Sequence, residues 1–123
     1  MERETSLQMA CTSWFKYTFK NILYWHTANE RKTSLARGAK LKKMGVLSGV
    51  PDIIIYHKEQ LYCIELKVGY NKLTDNQKEF LDRAEKNGAI CKVIKSVDEF
   101  IGFCNINFRH SKYYRDKNRN RNK

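Results

Sequence analysis

The stretch from Gly45 to Lys67, GVLSGVPDIIIYHKEQLYCIELK, leaves the chain least freedom. Two short apolar runs, Ile53–Tyr56 and Leu61–Ile64, flank the polar break His57-Lys58-Glu59-Gln60. This pattern predicts a β-hairpin with a loop longer than two residues. If the loop is symmetric, its centre falls between Lys58 and Glu59, and Asp52 stands opposite Glu65. Directly opposed residues on antiparallel strands hold their Cβ atoms roughly 5 Å apart, close enough for two carboxylates to share one cation. Lys67 follows Glu65 by two residues, so the period of a strand puts both side chains on one face. An Asp, a Glu and a Lys are thus expected to converge at the rim of a sheet.

Two carboxylates facing each other repel, and like charges across a ladder destabilise it. A divalent cation removes the repulsion. Carboxylate oxygens suit a hard ion such as Mg²⁺ or Mn²⁺, with water and substrate phosphate filling its other positions. A neighbouring Lys supplies a compact positive charge for a phosphate oxygen or an attacking water. These are the parts of a phosphodiester hydrolase. The alternative is that Asp52 ends a loop and Glu65 with Lys67 forms a solvated edge pair.

The residues Gly49-Val50-Pro51-Asp52 followed by Glu65-Leu66-Lys67 resemble the signature of the PD-(D/E)xK nuclease superfamily. With Gly45-Val46 ahead of them and twelve residues between Asp52 and Glu65, they resemble more closely the VRR-NUC (virus-type replication-repair nuclease) family. Glu4-x3-Gln8 is similar to the acid and Gln that open that family's first helix. Thr74-x2-Gln77 is similar to its S/T-x2-Q, and His26-x2-Asn29-Glu30 to its H-x-x-N-E/G segment. The match covers about residues 4 to 103.

The resemblance implies an α/β fold, a mixed β-sheet flanked by helices in a restriction-endonuclease-like core. It implies metal-dependent hydrolysis of DNA, with Asp52, Glu65 and the backbone carbonyl of Leu66 holding Mg²⁺ or Mn²⁺. Lys67 would orient the attacking water, and Glu4 and Gln77 would support water and metal, Glu4 as an outer ligand. Stand-alone members look like dimeric endonucleases that act on branched DNA, including four-way (Holliday) junctions, so a homodimer is expected. A nuclease for duplex or flap DNA would keep the same catalytic residues. A DNA-binding module without catalysis is the other rival, and the intact Asp52, Glu65 and Lys67 count against it.

The 123 residues suit one domain. The net charge of +11 points to a polyanionic partner, with nucleic acid the default rather than a small-molecule substrate. No amphipathic helix with a basic face favours a membrane surface, and no apolar run suggests a signal peptide or a membrane span. An intracellular protein is expected, cytoplasmic or viral and acting in the host cell. Cys11, Cys63, Cys91 and Cys104 lack zinc-ligand spacing and are expected to be reduced and buried.

Residues 5 to 20 show helical spacing through Leu7, Cys11, Trp14, Phe15 and Phe19, with Thr5 or Ser6 as the cap. Glu4 then caps the helix start or serves the metal, and Gln8 shares its face. Ile22–His26 reads as a strand. His26 and Asn29 either touch DNA or position the first helix, or His26 is a semi-buried structural histidine. Thr33 or Ser34 opens a second helix through Met44, stopped by Gly45. Its Arg37, Lys40, Lys42 and Lys43 have no acidic neighbours and are expected on DNA phosphates, as are Arg31 and Lys72.

After a turn at residues 68 to 73, Thr74 and Gln77 form a capping box, so Gln77 has a structural explanation beside its implied site role. Ala89–Ile94 is expected as a strand parallel to the Glu65 strand, and Ser96 opens a last helix ending near Cys104. The nuclease domain is taken as residues 1–105. Residues 106–123 carry seven Lys or Arg against one acid and read as a basic, disordered tail. Its Arg109 and Lys112, with Tyr113 and Tyr114, are candidates to hold a nucleic-acid strand.

Overall fold

The computed structural model describes residues 2–27 and 34–109. Asn29, Arg31 and Lys112, and the tail tyrosines, lie outside the described residues. The elements are α1 (Glu2–Thr18), β1 (Leu23–His26), α2 (Leu35–Lys43), β2 (Ile53–His57), β3 (Gln60–Leu66), α3 (Asp75–Lys86), β4 (Ile90–Ile94) and α4 (Val97–Cys104). A π-helical turn, Asn105–Arg109, continues from α4. The strands form one mixed sheet in the order β1-β2-β3-β4. β1 and β3 pair antiparallel to β2, and β4 lies parallel to β3 after the α3 crossover.

β2 and β3 are buried on both faces, which is why both read as unbroken apolar runs. On one face Ile53, Ile55, Tyr62, Ile64, Leu66 and Ile94 pack against Leu7, Cys11 and Phe15 of α1 and Phe100 and Cys104 of α4. On the other, Ile54 and Cys63 meet Leu81 of α3, with Phe80, Ala84 and Val93 around them. Leu7, Cys11 and Phe15 recur every four residues, so they form one stripe of α1.

Three expectations need correction. Helix α1 starts at Glu2, so Thr5 and Ser6 are helix residues and not its cap. Arg and Glu are good helix formers and carry the helix toward the N-terminus. Glu4 therefore stands inside the first turns rather than at a cap. The hairpin loop is also tighter than expected. His57 pairs with Gln60, and only Lys58 and Glu59 turn the chain, with φ of 49° and 66°. Two left-handed residues make a turn whose twist matches that of the strands. The centre of the loop is unchanged, so the register is the one expected.

The third difference is at the C-terminal side. The packed chain runs past residue 105 through the π-helical turn, and Phe108 is 0% exposed. Its ring meets Tyr62 at 4.9 Å and Phe15 at 5.8 Å between centroids. Arg109 belongs to this packing as well. Its Nε donates to Asn105 Oδ1 and its guanidinium lies 5.4 Å from the Phe19 ring centre.

All four cysteines are free, and Cys91 alone of them is partly exposed. Burial pushes the Cys11 thiol up to about 11 and the Cys91 thiol to about 12, so both stay protonated at neutral pH. No described helix is long and apolar enough to cross a membrane.

Candidate active site

The site forms where β2 begins and β3 ends. The ladder from Ile53↔Ile64 to His57↔Gln60 sets Asp52, one residue before β2, across from Glu65. Asp52 Oδ2 accepts the Leu66 N–H at 2.8 Å, so the carboxylate continues the ladder where the backbone leaves it. The Pro51-Asp52 backbone is held from β1. Thr27 Oγ1 donates to the Pro51 carbonyl at 2.6 Å. The Asp52 carbonyl accepts His26 Nδ1–H at 2.8 Å and the Thr27 N–H at 3.0 Å. His26 is thus an exposed residue that holds the Asp52 backbone, a role its sequence did not suggest, rather than a semi-buried histidine.

The loop before Pro51 lies against the start of α3. Gly49 has φ of +79°, and a Cβ there would stand 2.4 Å from the Asn76 carbonyl oxygen and 2.7 Å from the Gln77 nitrogen. Only glycine permits this backbone-to-backbone approach. Asn76 Nδ2 also donates to Ser48 Oγ at 2.8 Å, fixing the loop sideways.

Glu65 is 1% exposed and Lys67 is 8% exposed, which removes the solvated edge pair as a description of these two residues. Gln77 closes the capping box and also reaches Glu65. Its Oε1 accepts the Thr74 N–H at 2.9 Å and its N–H donates to Thr74 Oγ1 at 3.2 Å, completing the capping box. Its Nε2 reaches Glu65 Oε1 at 3.4 Å, a long hydrogen bond. The other oxygen, Glu65 Oε2, is buried without a donor among the described residues.

The Glu65 carboxyl is pushed up to about 9, first by burial and then by Asp52. Asp52 acts through its charge and as the acceptor of a proton on Glu65. Lys67 partly offsets the rise, and the charge of Glu4 adds to it. When neither acid carries a proton, both are acceptors facing each other, and Glu65 Oε2 is left with no partner.

Glu4 approaches this pair from α1, but its Oε2 is taken by Asn71 Nδ2 at 2.7 Å. Among the described residues no three His, Cys, Asp or Glu side chains gather closely enough to hold a metal ion. Glu4 is therefore not assembled with Asp52 and Glu65 as a third ligand. Gln8, one turn further along α1, has a buried Nε2 with no partner among the described residues. An all-oxygen pair with one orphaned buried oxygen fits a hard divalent cation that takes most of its ligands from water and phosphate.

The chain matches the VRR-NUC domain model over residues 2–98. It belongs to the VRR-NUC family. A solved structure described as a VRR_NUC domain protein is similar to this VRR-NUC domain at 26% identity and a TM-score of 0.70. The similarity covers 86% of this chain and 88% of that one. No curated protein matches. Membership implies a nuclease that acts on DNA, and the VRR-NUC fold places Asp52, Glu65, Lys67 and Gln77 in one cluster.

The cations expected on DNA are distributed unevenly in this VRR-NUC domain. Ser34 caps α2, its Oγ accepting the Arg37 N–H at 3.1 Å. The helix buries none of its residues, so Arg37, Lys40, Lys42 and Lys43 are all exposed. Lys72 is exposed on the turn that follows Lys67. Arg109 is on the packed side of the fold, its guanidinium over the Phe19 ring and its Nε on Asn105. Arg3 was not singled out by sequence. Its guanidinium reaches the same turn, 3.7 Å from where a Cβ of Gly69 would be. Thr27 and Asn71 were missed too, because each bonds a segment remote in sequence and no local pattern marks it.

Proposed function

We propose that this VRR-NUC domain is a metal-dependent DNA endonuclease that hydrolyses phosphodiester bonds, with a preference for branched DNA such as four-way junctions. The observation that carries the reading is the buried Glu65 oxygen, without a donor among the described residues, facing Asp52 beside the buried Lys67. Removing the repulsion by a cation is the simplest reason for such a pair to be kept.

Asp52 and Glu65, with the Leu66 carbonyl, would hold Mg²⁺ or Mn²⁺. Such an ion polarises a phosphoryl oxygen and makes a water easier to ionise. The remaining work falls to the chain. Lys67 holds the attacking water and offsets the charge that builds on the phosphoryl oxygens, an effect strengthened by its burial. Gln77 fixes the Glu65 carboxylate, its Nε2 donating to Glu65 Oε1. Gln8 and Glu4 line the α1 side, where an amide and a carboxylate can orient water. Arg37, Lys40, Lys42, Lys43 and Lys72 supply phosphate contacts away from the reacting bond. A homodimer acting inside the cell completes the reading, since two-fold symmetry would bring two sites to two strands of one junction.

Cleavage of synthetic four-way junction, flap, linear duplex and single-stranded DNA, with Mg²⁺, Mn²⁺ or EDTA, tests this. Lys67→Ala is expected to slow cleavage about 10²- to 10³-fold while DNA affinity stays near that of the unaltered protein. Cutting that persists in EDTA or in Lys67→Ala would overturn the mechanism. Equal rates on all duplex substrates would remove the junction preference alone.

A further inference from the structure

The turn between β3 and α3 carries a tyrosine that neither the fold nor the chemistry above uses. Tyr70 is 100% exposed, the most exposed large hydrophobic residue described. Its backbone, by contrast, is held. Asn71 N–H donates to the Val68 carbonyl at 3.1 Å, closing the turn. Asn71 Nδ2 binds Glu4 on α1 at 2.7 Å, and Gly69 takes φ of +58° to let the chain pass. The ring therefore stands in water on a fixed base, three residues beyond Lys67. Arg3 reaches the turn at Gly69, and the exposed Lys72 follows Tyr70 by two residues.

An exposed aromatic ring on a turn that also carries cations, near a candidate phosphodiester site, has a natural ligand, a nucleotide whose base offers its flat face. In continuous duplex both faces of every base are covered by neighbours. Only a base at a branch, an end or a gap has a face open to a side chain. We propose that Tyr70 stacks on such an open base next to the bond that Lys67 serves, with Arg3 and Lys72 on the flanking phosphates. This rests on the nuclease reading above and names the group that selects branched DNA. The turn is anchored before DNA arrives, so little ordering is lost when the base docks.

The test is binding by the full chain, in EDTA so that no bond is cut. The two ligands are a four-way junction carrying 2-aminopurine at the branch point and a linear duplex of the same sequence. The ring makes no core contact, so Tyr70→Ala leaves the fold intact. The ratio of junction to duplex affinity is expected to fall about tenfold in Tyr70→Ala, with loss of 2-aminopurine quenching. In Tyr70→Phe, which keeps the ring, the ratio is expected to stay within about twofold of the starting protein. Equal ratios in all three proteins would overturn the role of Tyr70 while leaving Lys67-dependent cleavage standing. A protein that binds neither DNA would overturn both readings.

Discussion

Glu65 concentrates the conflict at the site. Its carboxyl is raised from an ordinary 4.5 to about 9, so the folded chain holds a proton that the unfolded chain releases between those values. The folded state then binds more protons, and its stability falls as pH rises across that window. In metal-free protein, Glu65→Gln is expected to be the more heat-stable form at pH 8 by several degrees, and the difference should shrink toward pH 5. Thermal melts in EDTA at the two pH values check this, and a constant difference would refute it. Added Mg²⁺ should raise the melting temperature of the unaltered protein, more at pH 8 than at pH 5, and should do little for Glu65→Gln. Residues of this kind were legible in the sequence because their chemistry conflicts with their surroundings. Acids on either side of an apolar hairpin have no structural use. His26, Thr27 and Asn71 were harder to read, since their value lies in which distant carbonyl or carboxylate they meet.

At the scale of elements, the hairpin and the crossover do the positioning. The register that faces Asp52 with Glu65 was legible because two apolar runs of similar length surround a polar break, and a shift of one residue would move Ile53 and Ile55 from the α1 core to the smaller α3 core. The turn itself was misjudged, because Lys58 and Glu59 are not residues that favour positive φ. Replacing them with Asn and Gly is expected to stabilise the fold by about 1 kcal/mol, measured by the denaturant midpoint, with the register and cleavage unchanged. Gly49 is the opposite case. Gly49→Ala would drive a Cβ into the backbone of Asn76, and the loop carrying Asp52 would have to move from α3. A loss of about 2 kcal/mol or more, with slower cleavage, is expected. The start of α1 was misplaced for a general reason: Thr and Ser suit a cap, but nothing local forbids the helix from running on.

For the whole molecule, the basic C-terminal segment divides into two parts with different duties. Phe108 plugs the core between Phe15 and Tyr62, so a chain cut after residue 105 is expected to unfold or to melt far lower. A chain cut after residue 109 keeps that plug and loses a segment with six Lys or Arg against one acid; it should fold normally but bind DNA with a flatter dependence on salt. Circular dichroism and binding at several salt concentrations separate the two, and an unchanged slope would dismiss a DNA role for the tail. Sequence could not divide these duties, since Ile106 and Phe108 sit in a stretch whose composition is dominated by charge. The bond between Asn71 and Glu4 carries a last consequence. It closes over 67 positions of chain, and the site it borders is also reached by Gln77 of α3. While the protein is being synthesised, α1 leaves the ribosome long before its partners exist, and such non-local contacts close late. A nascent chain therefore owns no finished cutting site, and in refolding the return of cleavage should coincide with the last burial of Trp14 rather than precede it. If the proposed site is the cutting site, cleavage arises only once folding is complete, and unfinished copies spare the nucleic acid around them.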